Sequence, residues 1–104
     1  MKYDKLVRDK IPQIIKDKGS IPLTHIADDS EYWVKLKAKL QEEVNEVLED
    51  SNIDEELADV LEVIHAMLAF RGIKFEELEQ IMLKKREKRG GFKNKIILEE
   101  TRSD

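Results

Sequence analysis

Apolar residues recur at three- and four-residue steps through two successive segments of this 104-residue chain. They stand at Trp33, Leu36, Leu40, Val44 and Val47 in the first segment, and at Leu57, Val60, Leu61, Ile64, Met67 and Leu68 in the second. This spacing is typical of amphipathic α-helices. The link between the segments contains Ser51, Asn52 and Asp54, which favour a turn and a fresh helix cap. Because a short link favours antiparallel neighbours, the sequence predicts a helical hairpin.

Two further helices are predicted, one on each side of the hairpin. A short first helix is indicated by apolar residues at roughly helical spacing. Pro12 places its regular start near residues 10–11, and Gly19 ends it. A fourth helix begins near Phe75 and stops at Gly90.

The sequence thus predicts an all-α fold, an antiparallel helical bundle of about four helices in one domain over residues 1–104. Two segments without helical spacing, near residues 21–26 and 95–99, are rich in β-branched residues. We expect them to pair as a small two-stranded β-ribbon. A chain this short leaves much of its surface exposed, which favours assembly into a homodimer or homotetramer.

Composition excludes several classes of protein. The chain contains no cysteine, so neither a disulfide nor a thiolate metal site can form. No run of about 18 apolar residues is present to span a bilayer, and the charged start lacks the apolar stretch of a secretion signal. The formal net charge of −4 argues against a nucleic-acid partner. We therefore expect a cytoplasmic protein whose partner is neither a membrane nor a nucleic acid.

Charge is distributed unevenly along the chain. Between Gln41 and Glu62 there are ten acids and no base, whereas between Lys84 and Lys95 there are seven bases and one acid. An acidic centre together with a basic segment suits a polyanionic partner that brings cations with it.

Each helix of the hairpin carries two acids three residues apart. Glu43 with Glu46, and Glu56 with Asp59, therefore each share one side of a helix, with Cβ atoms about 5–6 Å apart. Two such pairs facing across a hairpin form a four-carboxylate cage. Oxygen-only ligands select hard cations such as Mg²⁺ or Mn²⁺, and Mg²⁺ usually takes further ligands from water and substrate phosphates. The cage therefore indicates a metal site for a phosphate-bearing substrate.

A solvated acidic helix face is the ordinary interpretation of such a pattern. The second helix of the hairpin argues against it, because Glu56 and Asp59 fall inside an apolar arc, whereas Glu55 and Glu62 lie beyond its edge. Carboxylates that face a core are expected to be paired or to coordinate metal. No Lys or Arg lies between Gln41 and Glu62, so a bound cation is the simplest partner for these carboxylates. Bases from the first helix or the tail remain the alternative.

The order of these motifs resembles that of a known family. EExxE on one helix, here Glu42, Glu43 and Glu46, is followed by ExxD on the next, here Glu56 and Asp59. The opening KLVRDKIPQII and the closing KREKRGGF extend the likeness over nearly the whole chain. The sequence therefore resembles the all-helical nucleoside triphosphate pyrophosphohydrolases of the MazG type, together with phosphoribosyl-ATP pyrophosphohydrolase.

The resemblance implies Mg²⁺-dependent hydrolysis of a nucleoside triphosphate-like substrate between its α- and β-phosphates, as in the house-cleaning of non-standard nucleotides. It implies that Glu43, Glu46, Glu56 and Asp59 are the metal ligands, with Mn²⁺ as a substitute for Mg²⁺. We expect Glu42 to be a further ligand or the general base, with a surface position as the alternative. Phosphate oxygens also need cationic donors. The candidates for this contact are Lys5, Arg8, Lys10, Lys85, Arg86 and Arg89.

Two alternatives stay open. The stretch between Glu46 and Glu56 is shorter than in most MazG-type enzymes and nearer to that of the phosphoribosyl-ATP branch. A role in histidine biosynthesis would therefore share the predicted chemistry and differ in substrate. The second alternative is a non-catalytic, oligomeric helical module that regulates a partner, and it predicts acids that pair with bases. In either case Trp33 is expected to pack in the core.

Overall fold

The computed structural model describes residues 3–49 and 51–103. In that part of the chain it contains four α-helices: α1 (Ile11–Asp17), α2 (Asp29–Glu49), α3 (Ile53–Arg71) and α4 (Phe75–Arg89). The all-α prediction is confirmed, and α1 and α4 begin and end close to their predicted residues. None of the described helices is long and apolar enough to cross a membrane.

The chain divides after Gly72 into two compact units. The first contains α1, α2 and α3, and the second contains α4 with the C-terminal segment. Gly72 ends α3 in the left-handed conformation at φ 69°, which glycine adopts without the penalty that a Cβ brings. All the acids of the predicted site lie in the first unit. A single domain over residues 1–104 stays a prediction.

Helices α2 and α3 pack against each other as the predicted hairpin. At the start of α2, the Tyr32 ring stands edge-on to the Phe70 ring of α3, with 5.6 Å between centroids. The Trp33 ring stacks on the same Phe70 ring at 5.3 Å. Because the start of one helix meets the end of the other, the two run antiparallel. Aromatic pairs of this kind contribute about 0.5–1.5 kcal/mol beyond the area they bury. Trp33 therefore packs against α3, but it is only partly buried and lies at the edge of the core rather than inside it.

The core of the first unit lies between these two helices and is small. Leu36 of α2 is 1% exposed, and Val63 of α3 is also buried. The predicted apolar arc of α3 is confirmed, because Val63 is buried while Glu62 is exposed. Leu57 and Leu61, in contrast, are about half exposed, so α3 also presents apolar side chains outside the hairpin core.

Helix α2 begins with a capped turn. The sequence offers three capping side chains there, Asp28, Asp29 and Ser30. In the structure the Asp28 Oδ1 accepts a hydrogen bond of 2.8 Å from the backbone N–H of Glu31. At the start of α3, Asn52 occupies the capping position but its side chain makes no cap bond, so the fresh cap predicted there is not formed.

The Asp28 cap leads to a stability prediction. Asp28→Ala is expected to lower the free energy of unfolding by about 1 kcal/mol, because an N–H group of the first turn loses its acceptor. Asp28→Asn keeps a side-chain oxygen at the same position and is expected to retain most of the stability. Urea unfolding followed by far-ultraviolet circular dichroism measures both variants. An equal loss in both would mean that the charge of Asp28, rather than the cap bond, supports the helix.

The predicted β-ribbon is wrong, because neither residues 21–26 nor residues 95–99 form a strand. Their apolar side chains are almost fully exposed, as with Leu23 at 93% and Ile97 at 82%. A two-stranded ribbon is marginal unless one of its faces packs against other apolar groups. Within the described residues neither segment buries such a face. A β-branched composition alone therefore does not specify a strand here.

Candidate metal centre

Glu43 lies on the buried side of α2 and is 7% exposed. Its Oε1 lies 3.4 Å from the Nζ of Lys39, one helical turn earlier. Its Oε2 is buried and has no hydrogen-bond partner among the described residues. A buried carboxylate oxygen without a donor is costly, so this atom is suited to bind a cation.

Glu46 and Asp59 bring two more carboxylates to Glu43. Glu46 follows Glu43 by three residues on α2, and Asp59 belongs to α3. One carboxylate oxygen from each of the three side chains lies within 4.8 Å of the other two. We call these three residues the acid cluster. The convergence predicted across the hairpin is therefore present for three of the four proposed ligands.

The pKa of Glu43 is raised above its usual value. Burial is the largest cause, because it disfavours the ionised carboxyl, and the neighbouring carboxylate of Glu46 is the next. Asp59 acts in the same direction, whereas Lys39 opposes the shift. A cation bound among these groups would favour the ionised form of Glu43 and counteract both main causes.

The donor set of the acid cluster fits a hard divalent cation. Its three donors are all carboxylate oxygens, the ligand type that Mg²⁺ prefers. Oxygens bound to one Mg²⁺ at about 2.0–2.1 Å stand at most about 4.2 Å apart. Only two of three oxygens can stand opposite each other on one octahedral ion, so a spacing of up to 4.8 Å requires the side chains to move inward when Mg²⁺ binds.

Glu56 is the fourth predicted ligand, and the structure places it apart from the other three. It is 9% exposed at the start of α3, and its Oε1 accepts a hydrogen bond of 2.8 Å from the Ser51 hydroxyl. Its Oε2 is buried without a partner among the described residues. Glu56 is not one of the residues of the acid cluster. Its role as a ligand stays a prediction, supported by the buried, unpartnered oxygen.

Glu42 lies beside Glu43 in sequence and pairs with two lysines. Its Oε1 is 3.2 Å from the Nζ of Lys5, and its Oε2 is 3.4 Å from the Nζ of Lys39. Burial raises the pKa of Glu42, but the two lysines outweigh this effect, so that the net shift is downward. Glu42 is therefore ionised at neutral pH, as both of its predicted roles require.

Arg8 pairs with one acid of the cluster, since its Nη2 lies 2.7 Å from the Oδ1 of Asp59. The segment that leads to Arg8 also contacts α2, because the backbone oxygen of Asp4 accepts a hydrogen bond from the Lys35 side chain. Asp59 therefore has a base as its partner, as the alternative interpretation requires, but this base precedes α1 rather than belonging to it. The Arg8 side chain is 56% exposed, so its ion pair contributes at most about 1 kcal/mol. Asp59 therefore remains accessible to a competing cation.

All six predicted phosphate contacts stay predictions, and four of these bases have no ion pair with the carboxylates described above. Lys10 is the residue that precedes the first turn of α1. Lys85, Arg86 and Arg89 lie on α4 in the second unit. Arg86 and Arg89 belong to the last turn of that helix, where positive charge complements the helix dipole.

Two residues around the carboxylates, Lys39 and Ser51, were not predicted from the sequence. Lys39 precedes Glu43 by four residues, the spacing at which helical side chains meet, so a signal for this pair exists in the sequence. Lys39 lies just before the acidic stretch that begins at Gln41, so the absence of bases within that stretch does not exclude it as a partner. Ser51 is of a residue type that is common in turns, and no sequence signal connects its hydroxyl with Glu56.

Comparison with known proteins assigns no activity to this arrangement. No family model matches the chain. No solved structure matches it. A stretch of 42 residues is 50% identical to part of a protein from Mycolicibacterium smegmatis that is described only as uncharacterized. That stretch covers 40% of this chain and 43% of the relative, so the chain spans less than half of the relative's length.

Proposed function

We propose that this chain is an Mg²⁺-dependent nucleotide pyrophosphohydrolase of the MazG-like type. It would cleave a nucleoside triphosphate-like substrate between its α- and β-phosphates, giving a nucleoside monophosphate and pyrophosphate. The observation that carries the proposal is the convergence of Glu43, Glu46 and Asp59, together with a buried Glu43 oxygen that lacks a partner among the described residues. The succession of EExxE on α2 and ExxD on α3 supports the same assignment.

In this proposal the acid cluster holds the metal ion, and Glu56 joins it through its buried Oε2. Bound Mg²⁺ would neutralise phosphate oxygens, orient the triphosphate and lower the pKa of a water molecule. The helices α2 and α3 set the spacing of the carboxylates, because they pack as a hairpin. Mn²⁺ has the same preference for oxygen ligands and is expected to substitute.

Glu42 would act on the attacking water. Lys5 and Lys39 keep its carboxylate ionised, so it is ready to accept a hydrogen bond from that water. A lowered pKa also makes the carboxylate a weaker base. Glu42 would therefore act mainly by orienting the water rather than by removing its proton early.

Arg8 would bind phosphate oxygens of the substrate, assisted by Lys5 and Lys10. The planar guanidinium group matches phosphate geometry, and the Arg8 side chain is largely exposed. An exchange of Asp59 for a phosphate as the partner of Arg8 would release the Asp59 carboxylate. Binding of the substrate and completion of the metal site would then favour each other.

The proposal includes a cytoplasmic location and assembly as a homodimer or homotetramer. Three apolar residues support the oligomer, since Ile53, Leu57 and Leu61 recur every four residues along α3 and each is more than a third exposed. A stripe of this spacing is suited to cover another helix. A second copy of the hairpin would therefore remove these side chains from water.

A non-catalytic oligomeric module is the second candidate function. The ion pairs of Arg8 with Asp59 and of Lys39 with Glu43 favour it, because they neutralise two acids of the cluster without a metal. Hydrolysis of phosphoribosyl-ATP, in contrast, shares the chemistry of the main proposal and differs in substrate alone.

Phosphate release in the presence of added inorganic pyrophosphatase tests the proposal. The full chain is incubated with a panel of canonical nucleotides, damaged nucleotides and phosphoribosyl-ATP. We expect this release with Mg²⁺ present. Because pyrophosphatase itself needs Mg²⁺, the metal requirement is read from the nucleoside monophosphate, separated by chromatography without the coupling enzyme, which should stop forming when EDTA is added. Glu62→Gln alters an exposed acid of α3 outside the acid cluster and is expected to keep full activity. No release from any substrate at any Mg²⁺ concentration would favour the non-catalytic module.

A further inference from the structure

Lys39 is the least exposed base among the described ion pairs. Its side chain is 18% exposed, compared with 28% for Lys35 and 42% for Lys5. An ammonium group in such a position is costly unless it is paired. Lys39 has two partners, with 3.4 Å from its Nζ to Glu42 Oε2 and 3.4 Å to Glu43 Oε1. Lys39 is therefore part of the carboxylate site and not a solvent-exposed surface residue.

Because of Lys39, the two carboxylate oxygens of Glu43 have different roles. A carboxyl group is planar, so an ion pair at Oε1 restricts the directions in which Oε2 can point. Oε2 is buried and has no hydrogen-bond partner among the described residues. Glu43 thus keeps one oxygen on Lys39 and has the other available for a cation.

We propose that Lys39 is a positioning residue, which holds Glu43 so that only its Oε2 binds the metal ion. The inference rests on the proposed function, since it assumes that the acid cluster binds a divalent cation. Carboxylates that ligate metals are usually held by a hydrogen-bonding partner, and loss of that partner typically weakens metal binding about 10–100-fold. Without Lys39, Glu43 is free to turn both oxygens toward the ion or to turn away from it.

A purely electrostatic role of Lys39 would give the opposite result. Positive charge near the acid cluster repels a cation, so its removal would strengthen binding. A positioning role requires that the same removal weakens binding. The sign of the change in metal affinity therefore distinguishes the two roles.

The test measures Mn²⁺ affinity of the full chain by electron paramagnetic resonance, which counts the free ion and does not depend on turnover. Lys39→Met is expected to weaken Mn²⁺ binding about tenfold, and Lys39→Arg, which restores a cationic donor, to recover most of the affinity. Lys37→Met is the matched control. It removes the same charge from an exposed position two residues away on α2 and is expected to change the affinity less than about twofold.

Unchanged or tighter Mn²⁺ binding by Lys39→Met would overturn the inference and leave the proposed metal site intact. An absence of binding by the wild-type chain would instead overturn the proposed function together with the inference. Circular dichroism verifies that each variant is folded. If Lys39→Met does not fold, Lys39→Gln replaces it, because it also lacks the charge. Weaker binding by that variant supports positioning, and tighter binding contradicts it.

Discussion

Glu43→Gln is expected to lower Mg²⁺-dependent pyrophosphate release by at least about a hundredfold, the scale on which loss of a preorganised electrostatic group acts. An amide lacks the negative charge that retains the cation, and its nitrogen is no ligand for Mg²⁺. Asp59→Asn is expected to have the same effect, because it removes charge from the α3 side of the same cluster. Turnover at saturating nucleotide, measured over a range of Mg²⁺ concentrations, checks both variants.

Glu62→Gln is the matched control for these two variants. It removes one negative charge from α3 at an exposed position, three residues beyond Asp59. Because Glu62 lies outside the acid cluster, Glu62→Gln is expected to leave turnover nearly unaltered. Full activity in both Glu43→Gln and Asp59→Asn would remove these residues from the active site.

Loss of activity in Glu43→Gln should not come from loss of the fold. Burial, together with Glu46 and Asp59, raises the pKa of Glu43 in the folded chain above its value in the unfolded chain. Between those two pKa values the folded chain binds more protons, so stability falls as pH rises through that window and stays lower at neutral pH. Glu43→Gln removes this titration.

We therefore expect Glu43→Gln to be at least as stable as the wild-type chain at neutral pH. Its stability should also fall less as pH rises, because the contribution of Glu43 to that fall is removed. Lys39 keeps Glu42 as a partner in the variant, which limits the cost of the lost ion pair. Urea unfolding at several pH values, from acidic to neutral, measures the effect. A variant that matches the wild type in acid but is less stable at neutral pH would contradict the sign of this argument.

Leu36→Ala is expected to lower the free energy of unfolding by about 2–5 kcal/mol, through lost burial and the cavity left behind. Leu36 is 1% exposed and belongs to the small core between α2 and α3. Domains are stable by only about 5–15 kcal/mol, so this loss is a large fraction of the total. Urea unfolding, followed by the fluorescence of Trp33, reports directly on the hairpin, since Trp33 is the single tryptophan of the chain.

Val34→Ala provides the comparison for Leu36→Ala. Val34 lies on the same helix but is more than half exposed, so its truncation is expected to change stability by no more than about 0.5 kcal/mol. Equal losses in the two variants would show that α2 does not bury the Leu36 side in solution. Unfolding of Leu36→Ala under native conditions would agree with the upper end of the predicted range.

The helices were predictable because their signals are local. Apolar spacing along α2 and α3, and Gly90 after α4, depend on neighbours within a few residues, and the structure has the helices where these signals predict them. The prediction of the β-ribbon was wrong because its signal is not local. A strand needs partners that are distant in sequence, and composition near Leu23 and Ile97 says nothing about whether such partners are present.

The site was predictable in part. Acids three residues apart on consecutive antiparallel helices identify the two faces that meet, and Glu43, Glu46 and Asp59 do converge. The pairing of Arg8 with Asp59 depends on the path of the chain before α1, which no periodic pattern specifies. The hydrogen bond from Ser51 to Glu56 depends likewise on the shape of the turn between the helices.

We propose that three carboxylates of the hairpin together bind one divalent cation. Anomalous X-ray scattering from crystals of the wild-type chain grown with Mn²⁺ tests this, because the signal locates the ion itself. We expect an anomalous peak within coordination distance of carboxylate oxygens of Glu43, Glu46 and Asp59, with Arg8 displaced from Asp59. If the map has no peak at the acid cluster and Arg8 still holds Asp59, the proposed metal site is wrong.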